Sequence, residues 1–302
     1  MNKDLKKQIN QSLNKNQEIY EQYLCNIENN LLFFDKKRQY PFLVSKQNKE
    51  LFLKNKYLQN IKFEELKDDK IEVKNVKFYK NQLFFTDEYI IDGIDEVANI
   101  GYFDEDVYFP VLYEDNEPWM SIVPSEINTM NTDINKMYGN VLILGCGLGY
   151  IAYMLSQKEN IKKITVVEKN EKIIDIFNKN ILPQINKEIE IINMDAFDFL
   201  DLSKNDYDFI YCDIWFNGID GLELYLKLKP YEKKFNAKFL YWIENEILQQ
   251  LRIAICEDLL ENNPKRYNND FFENVQNINH LRLKLSNESL LYNYLPGCNF
   301  IL

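Results

Sequence analysis

The chain has 302 residues, enough for one large domain or two smaller ones, and 46% are apolar, ample for a core. With only 9 glycines and 8 prolines, a fibrous or disordered chain is excluded. A formal charge of −11 repels a phosphate backbone, which disfavours extended nucleic-acid binding, and no apolar run is long enough for a membrane span.

Residues 4–30 place Ile9, Leu13, Tyr20, Tyr23, Leu24 and Ile27 at helical spacing among Lys, Asn, Gln and Glu. That pattern predicts an amphipathic helix docked on the rest of the protein. The opening MNKDLKKQINQSLNKNQ lacks the apolar segment of a signal peptide. The five scattered cysteines form no CxxC and suit reduced thiols, so a cytoplasmic protein is expected. Further on, IEVKNVKFY and LFFTDEYII flank a short polar KNQ, the signature of a β-hairpin over 71–91. VYFPVLY, 107–113, is another strand. Residues 1–120 thus read as an N-terminal module, helical first and then β-rich.

A helix is expected from Pro124, with Ser125 as N-cap and Gly139 as its stop. From residue 140 strands and helices alternate. The strands are 141–144, 163–168, 189–194, 207–213 and 237–244. The helices are 149–157, 170–182, 219–229 and 245–262. Strongly apolar strands separated by helices predict an α/β fold, a Rossmann-like three-layer sandwich with a mainly parallel sheet and a helical C-terminal extension, over 121–302. Right-handed crossovers place the C-terminal ends of the strands along one edge, where ligands bind.

The first of these strands runs into VLILGCGLGYIAYM, a turn with glycines at 145, 147 and 149. The dinucleotide fingerprint G-x-G-x-x-G would place its third glycine one residue later, where Tyr150 stands, so NAD and FAD are disfavoured. No Gly-Lys-Ser/Thr follows, so the turn is not a P-loop.

The GCGLG turn, Gly145, Cys146, Gly147, Leu148 and Gly149, resembles motif I of class I S-adenosylmethionine-dependent methyltransferases. That resemblance implies main chain pressed against the methionyl part of the cofactor, where side chains would collide. It also implies roles for later strand ends. Glu168 would hold the ribose hydroxyls, Asp195 the adenine amino group, with Ala196 adding a main-chain contact. Asp213, in YCDIWFN, would stand beside the reacting centre. The likeness covers about residues 124–244.

A β-rich module ahead of such a core is also similar to spermidine synthases. In these an Asp after the fourth strand helps deprotonate an attacking amine, and Asp213 matches it. The chain departs from that branch at Leu148 and Phe216, where the synthases carry acids. The acidic run DGIDEVANIGYFDEDVYF can supply charge for a polyamine or can be a solvated loop.

The leading expectation is an S-adenosylmethionine-dependent methyltransferase acting on a small-molecule or protein acceptor, with Asp213 orienting or deprotonating it. Aminopropyl transfer is the alternative, and a non-catalytic S-adenosylmethionine-binding module is a third. Trp215 and Phe216 are candidates to stack a planar substrate. Trp119, with Met120 and Ser121, lies where related folds line the ligand mouth, though a hydrophobic plug explains Trp119 and Met120 as well. Glu244 either faces the substrate or caps the next helix. Cys212, inside a strand, is expected to be a buried, inert thiol. His280 stands alone, no G-x-S-x-G or Pro-Cys pair occurs, and no His/Cys cluster suggests a metal. Homo-oligomer formation stays open.

Overall fold

The computed structural model describes residues 43–251, except 48, 64–65, 68–69, 92–94, 205 and 249. The expected helix over 4–30, most of the one over 245–262, the acidic stretch at 92–94 and His280 lie outside the described residues. The described chain forms two compact units, one ending at Thr129 and the other starting at Met130.

The first unit holds two sheets. One has the order β1 (Leu43–Lys46), β5 (Asp95–Tyr102), β4 (Leu83–Ile91); the other runs β2 (Leu66–Lys67), β3 (Ile71–Phe78), β6 (Val107–Glu114), β7 (Glu117–Ser121). Two short helices, α1 (Lys49–Leu53) and α2 (Lys56–Asn60), follow β1. The predicted hairpin does not form: β3 pairs with β6 over its whole length, and β4 pairs with β5. The turn explains this. Gln82 N donates to Tyr79 O (2.9 Å), and of the two central residues only Asn81 has a positive φ, 60°. The primed turns that match strand twist need a positive φ at the first central residue or at both. The turn used here sends the two strands into different sheets. Phe78, Phe84, Phe103 and Phe109 then pack with ring centroids 5.0–6.0 Å apart, filling the core with aromatic contacts.

The helix α3 (Pro124–Lys136) carries the chain onward. Proline opens it at the first helical position, where its missing N–H costs nothing. Ile127 N already donates to Val123 O (2.9 Å), so Ser125 lies inside the helix and is not its N-cap. Gly139 begins a strand and does not end the helix; the helix C-terminus is capped instead by the Lys158 ammonium, which donates to Met137 O (2.7 Å) and Ile134 O.

The second unit is a five-stranded parallel sheet in the order β10-β9-β8-β11-β12, an α/β Rossmann-like arrangement. Its strands are β8 (Gly139–Leu144), β9 (Ile161–Glu168), β10 (Ile189–Asn193), β11 (Phe209–Cys212) and β12 (Lys238–Tyr241). Val141–Leu144 and all of β11 are buried, as a sheet covered on both faces requires. The crossovers are α4 (Tyr150–Ser156), α5 (Glu171–Asn180), α6 (Ala196–Leu202) and α7 (Gly218–Leu228). The sequence reading missed α6, and it ran the fifth strand on to 244. The ladder stops at Tyr241, because Ile243 takes φ +50° and residues from 244 are helical. No helix among the described residues is long and apolar enough to cross a membrane.

Candidate functional site

The strands of the parallel sheet stop in line, and their ladder bonds run one residue further. Gly145 N donates to Val167 O (2.9 Å), Met194 N to Glu168 O (3.1 Å), Asp213 N to Leu144 O (2.9 Å) and Trp242 N to Cys212 O (3.0 Å). The strand-end residues singled out in the sequence therefore share one edge, the edge at which open α/β sheets take ligands.

Gly145, Gly147 and Gly149 all have positive φ, at 92°, 49° and 69°. The protein itself accounts for two of them. A Cβ on Gly145 would lie 2.0 Å from the Asp213 carbonyl oxygen, and one on Gly149 would lie 2.6 Å from the Phe177 ring and 2.8 Å from Ile181. Bare backbone at 145 lets the end of β8 press against the end of β11. At 149 it lets α4 start against α5.

Glu168, only 8% exposed, holds this turn from below. Its Oε2 accepts from Cys146 N (2.9 Å) and its Oε1 from Asn170 N (2.8 Å). A carboxylate oxygen can accept two hydrogen bonds, so each has capacity for one more. The Cys146 thiol is pushed well up by burial and by the Glu168 charge, which makes it inert. Asn193, which the sequence reading passed over, donates to the Glu168 and Lys169 carbonyls (3.0 Å each) and ties β10 to the end of β9. Its signal was only an amide at a strand end.

Asp195 is the N-cap of α6 and its Oδ1 accepts from Phe197 N (2.8 Å); its exposed carboxylate keeps further acceptor sites. Ala196 is the buried first residue of that helix. Asp213 is half-buried at the end of β11.

The loop after Asp213 separates two aromatic neighbours. Trp215 is 3% exposed, donates Nε1–H to Trp242 O (3.2 Å), and lies near-parallel to Tyr241. The expectation that it stacks a substrate is corrected: core packing takes its faces, and Gly221 sits against the ring at a distance that a Cβ would bring to 2.9 Å. Phe216 is 43% exposed. The loop is rigid because Asn217 and Asp220 form a capping box. The Asn217 side chain accepts from Ile219 N (2.8 Å) and Asp220 N (3.3 Å), while Asp220 accepts from Phe216 N (2.9 Å) and Asn217 N (2.7 Å).

Glu244 is half-buried and accepts from Tyr225 OH (2.8 Å); burial pushes its carboxyl above the usual range. Beside it, Glu232 accepts from Tyr241 OH (2.9 Å) and Lys229 Nζ (2.6 Å). The Lys229 ammonium also lies over the Tyr225 and Tyr241 rings, 5.2 and 5.1 Å from their centroids. Burial, and then the charges of Glu232, Asp213 and Glu244, push the Cys212 thiol well up, in keeping with an inert role. Among the described residues no group of His, Cys, Asp and Glu could hold a metal ion.

In the first unit, Trp119 is exposed on β7. Ser121, the last residue of that strand, is held by Glu126 in the first turn of α3. The Glu126 carboxylate accepts from Ser121 N (3.1 Å) and from Ser121 Oγ. Burial pushes this carboxyl up to about 7, against the pull of the two hydrogen bonds.

Residues 120–227 match the spermine/spermidine synthase domain. A polyamine aminopropyltransferase of Oceanobacillus iheyensis is 35% identical over 82 residues, 25% of this chain and 16% of that protein. The chain thus spans well under two thirds of that relative. Among solved structures, a spermidine synthase from Thermotoga maritima covers 49% of this chain and 58% of its own, at 15% identity and TM-score 0.34. A coclaurine N-methyltransferase bound to N-methylheliamine and SAH covers 34% and 32%, at 22% identity and TM-score 0.27. The α/β fold rests on the order and parallel pairing of the chain's own sheet.

Proposed function

We propose that this chain is a transferase that moves an alkyl group from an adenosyl sulfonium donor to an amine, as an aminopropyltransferase does. The observation that carries the reading is the match of residues 120–227 to the spermine/spermidine synthase domain, which spans β8 to α7 and includes Asp213. In the proposed site Glu168 receives the donor's ribose hydroxyls and Asp195 its adenine amino group. The acceptor nitrogen attacks the carbon next to the sulfonium and forms a C–N bond. The C–S bond breaks with its electron pair going to sulfur, which leaves a neutral thioether. Asp213 accepts the proton that the nitrogen sheds.

Methyl transfer from intact S-adenosylmethionine is the second reading, favoured by Leu148. It is fully buried in the turn, where the synthases carry an acid, so no like charge there opposes the carboxylate that distinguishes the intact donor. Incubating the full chain with an amine mixture and either donor separates the readings. Methylthioadenosine released from decarboxylated S-adenosylmethionine is the expected result. Release of S-adenosylhomocysteine alone, or of neither thioether, overturns it.

A further inference from the structure

Glu168 is the last residue of β9, where the sheet stops holding the main chain. Pairing of β9 with β8 ends at Val167, opposite Leu144, while pairing with β10 runs on to Glu168, opposite Asn193. Main-chain polar groups beyond a ladder need other partners, and here the Asn193 side chain supplies them. Its Nδ2 donates to Glu168 O and to Lys169 O, 3.0 Å each, and an amide NH2 has a proton for both. Met194 N donates to Glu168 O as well (3.1 Å).

The two bonds fix two successive peptide planes. A peptide unit is rigid, so holding its carbonyl also holds its N–H and both flanking Cα atoms. The first plane carries the Cα of Glu168. The second contains Lys169 O and Asn170 N together, and Asn170 N is the group from which Glu168 Oε1 accepts (2.8 Å). One exposed amide at the end of β10 thus sets the root of the carboxylate and one of the two donors that aim it. The other donor, Cys146 N, belongs to the glycine turn. Such aim matters, because a binding group performs fully only when held within about 0.5 Å of its productive place.

Building on the reading that Glu168 receives the donor's ribose hydroxyls, we infer that Asn193 is a positioning residue for the donor and acts through Glu168. Its loss frees the peptides on both sides of Lys169, and the carboxylate no longer meets the hydroxyl pair in register.

The test is calorimetric binding of methylthioadenosine, and of its analogue lacking both ribose hydroxyls, to the full chain and to its Asn193→Ala and Asn193→Asp variants. The unaltered chain should bind methylthioadenosine at least about tenfold tighter than the analogue, the order of factor that a hydrogen bond to a charged group supplies. Asn193→Ala should bring that ratio below about threefold and leave the affinity for the analogue as it was, since the analogue offers Glu168 nothing to hold. Asn193→Asp keeps a side-chain oxygen but sets its charge against the two carbonyls, so it should lose the ratio too. A merely structural role would weaken both ligands together. That outcome, an unchanged ratio in Asn193→Ala, or a ratio kept in Asn193→Asp overturns the inference and leaves the transferase reading standing. A ratio near one in the unaltered chain overturns the assignment of the ribose to Glu168. Absence of methylthioadenosine binding overturns the transferase reading itself, and the inference falls with either.

Discussion

The loops that leave β8 and β11 both turn a buried strand into a helix at the ligand edge, by opposite means. The first relies on main-chain conformation: three positive φ angles, and glycines at places where a side chain would strike Asp213 or Phe177. The second has one glycine at its end and uses side chains to hold the main chain, with Asn217 and Asp220 closing it. A loop of the first kind has little room to vary. A loop of the second kind is fixed in shape yet leaves other side chains to be chosen for their chemistry, which is where specificity can reside.

Substitutions probe this contrast. Trp215→Ala should have the largest effect, about 3–5 kcal/mol of lost stability in chemical denaturation, because it empties a packed core site. Its neighbour Phe216→Ala should change stability by less than about 0.5 kcal/mol in the same assay. Next comes a pair of carboxylates that make the same back-reaching bond in different surroundings, Asp220 exposed and Glu126 half-buried. Glu126 keeps its proton more tightly folded than unfolded, so the stability it contributes is fully present below pH 4.5 and is lost as pH rises to about 7. At 1.36 kcal/mol per pKa unit, the loss is on the order of 3 kcal/mol. Glu126→Gln should remove that slope from the difference in denaturation midpoints between about pH 4 and about pH 8, which bracket the window.

Gly145→Ala should cost about 2 kcal/mol from its positive φ alone, and the approach to the Asp213 carbonyl adds to that. Asn217→Ala should cost less than Gly145→Ala, about 1 kcal/mol for a lost N-cap, visible as a small drop in melting temperature. If Asn217→Ala costs as much as Gly145→Ala, the two loops are not held as differently as the geometry indicates.

The parallel sheet was legible because each of its strands is a short apolar run followed by its own helix, so local pattern and fold agree. The sheets of the first unit were not. Alternation identified β3 and β4 as strands, but their partners lie farther along the chain, and the turn between them, with a positive φ only at Asn81, is not of the hairpin type. At the site, Gly145, Glu168, Asp195 and Asp213 could be placed at strand ends from the apolar run before each. That Trp215 turns inward while Phe216 turns out could not be read from two adjacent aromatics. Their difference comes from the capping box and the Trp242 carbonyl. The helix α6 was missed because AFDFLDL is only seven residues long, too short for an apolar period to declare itself.

The proposed function puts an adenosyl thioether or sulfonium at the edge formed by the glycine turn, Glu168 and Asp195. Thermal unfolding of the full chain with rising methylthioadenosine tests this most directly. A ligand that binds only the folded state adds about 2.7 kcal/mol at a hundred times its dissociation constant, so the melting temperature should climb steadily with concentration. A melting temperature unmoved by millimolar ligand would contradict the account.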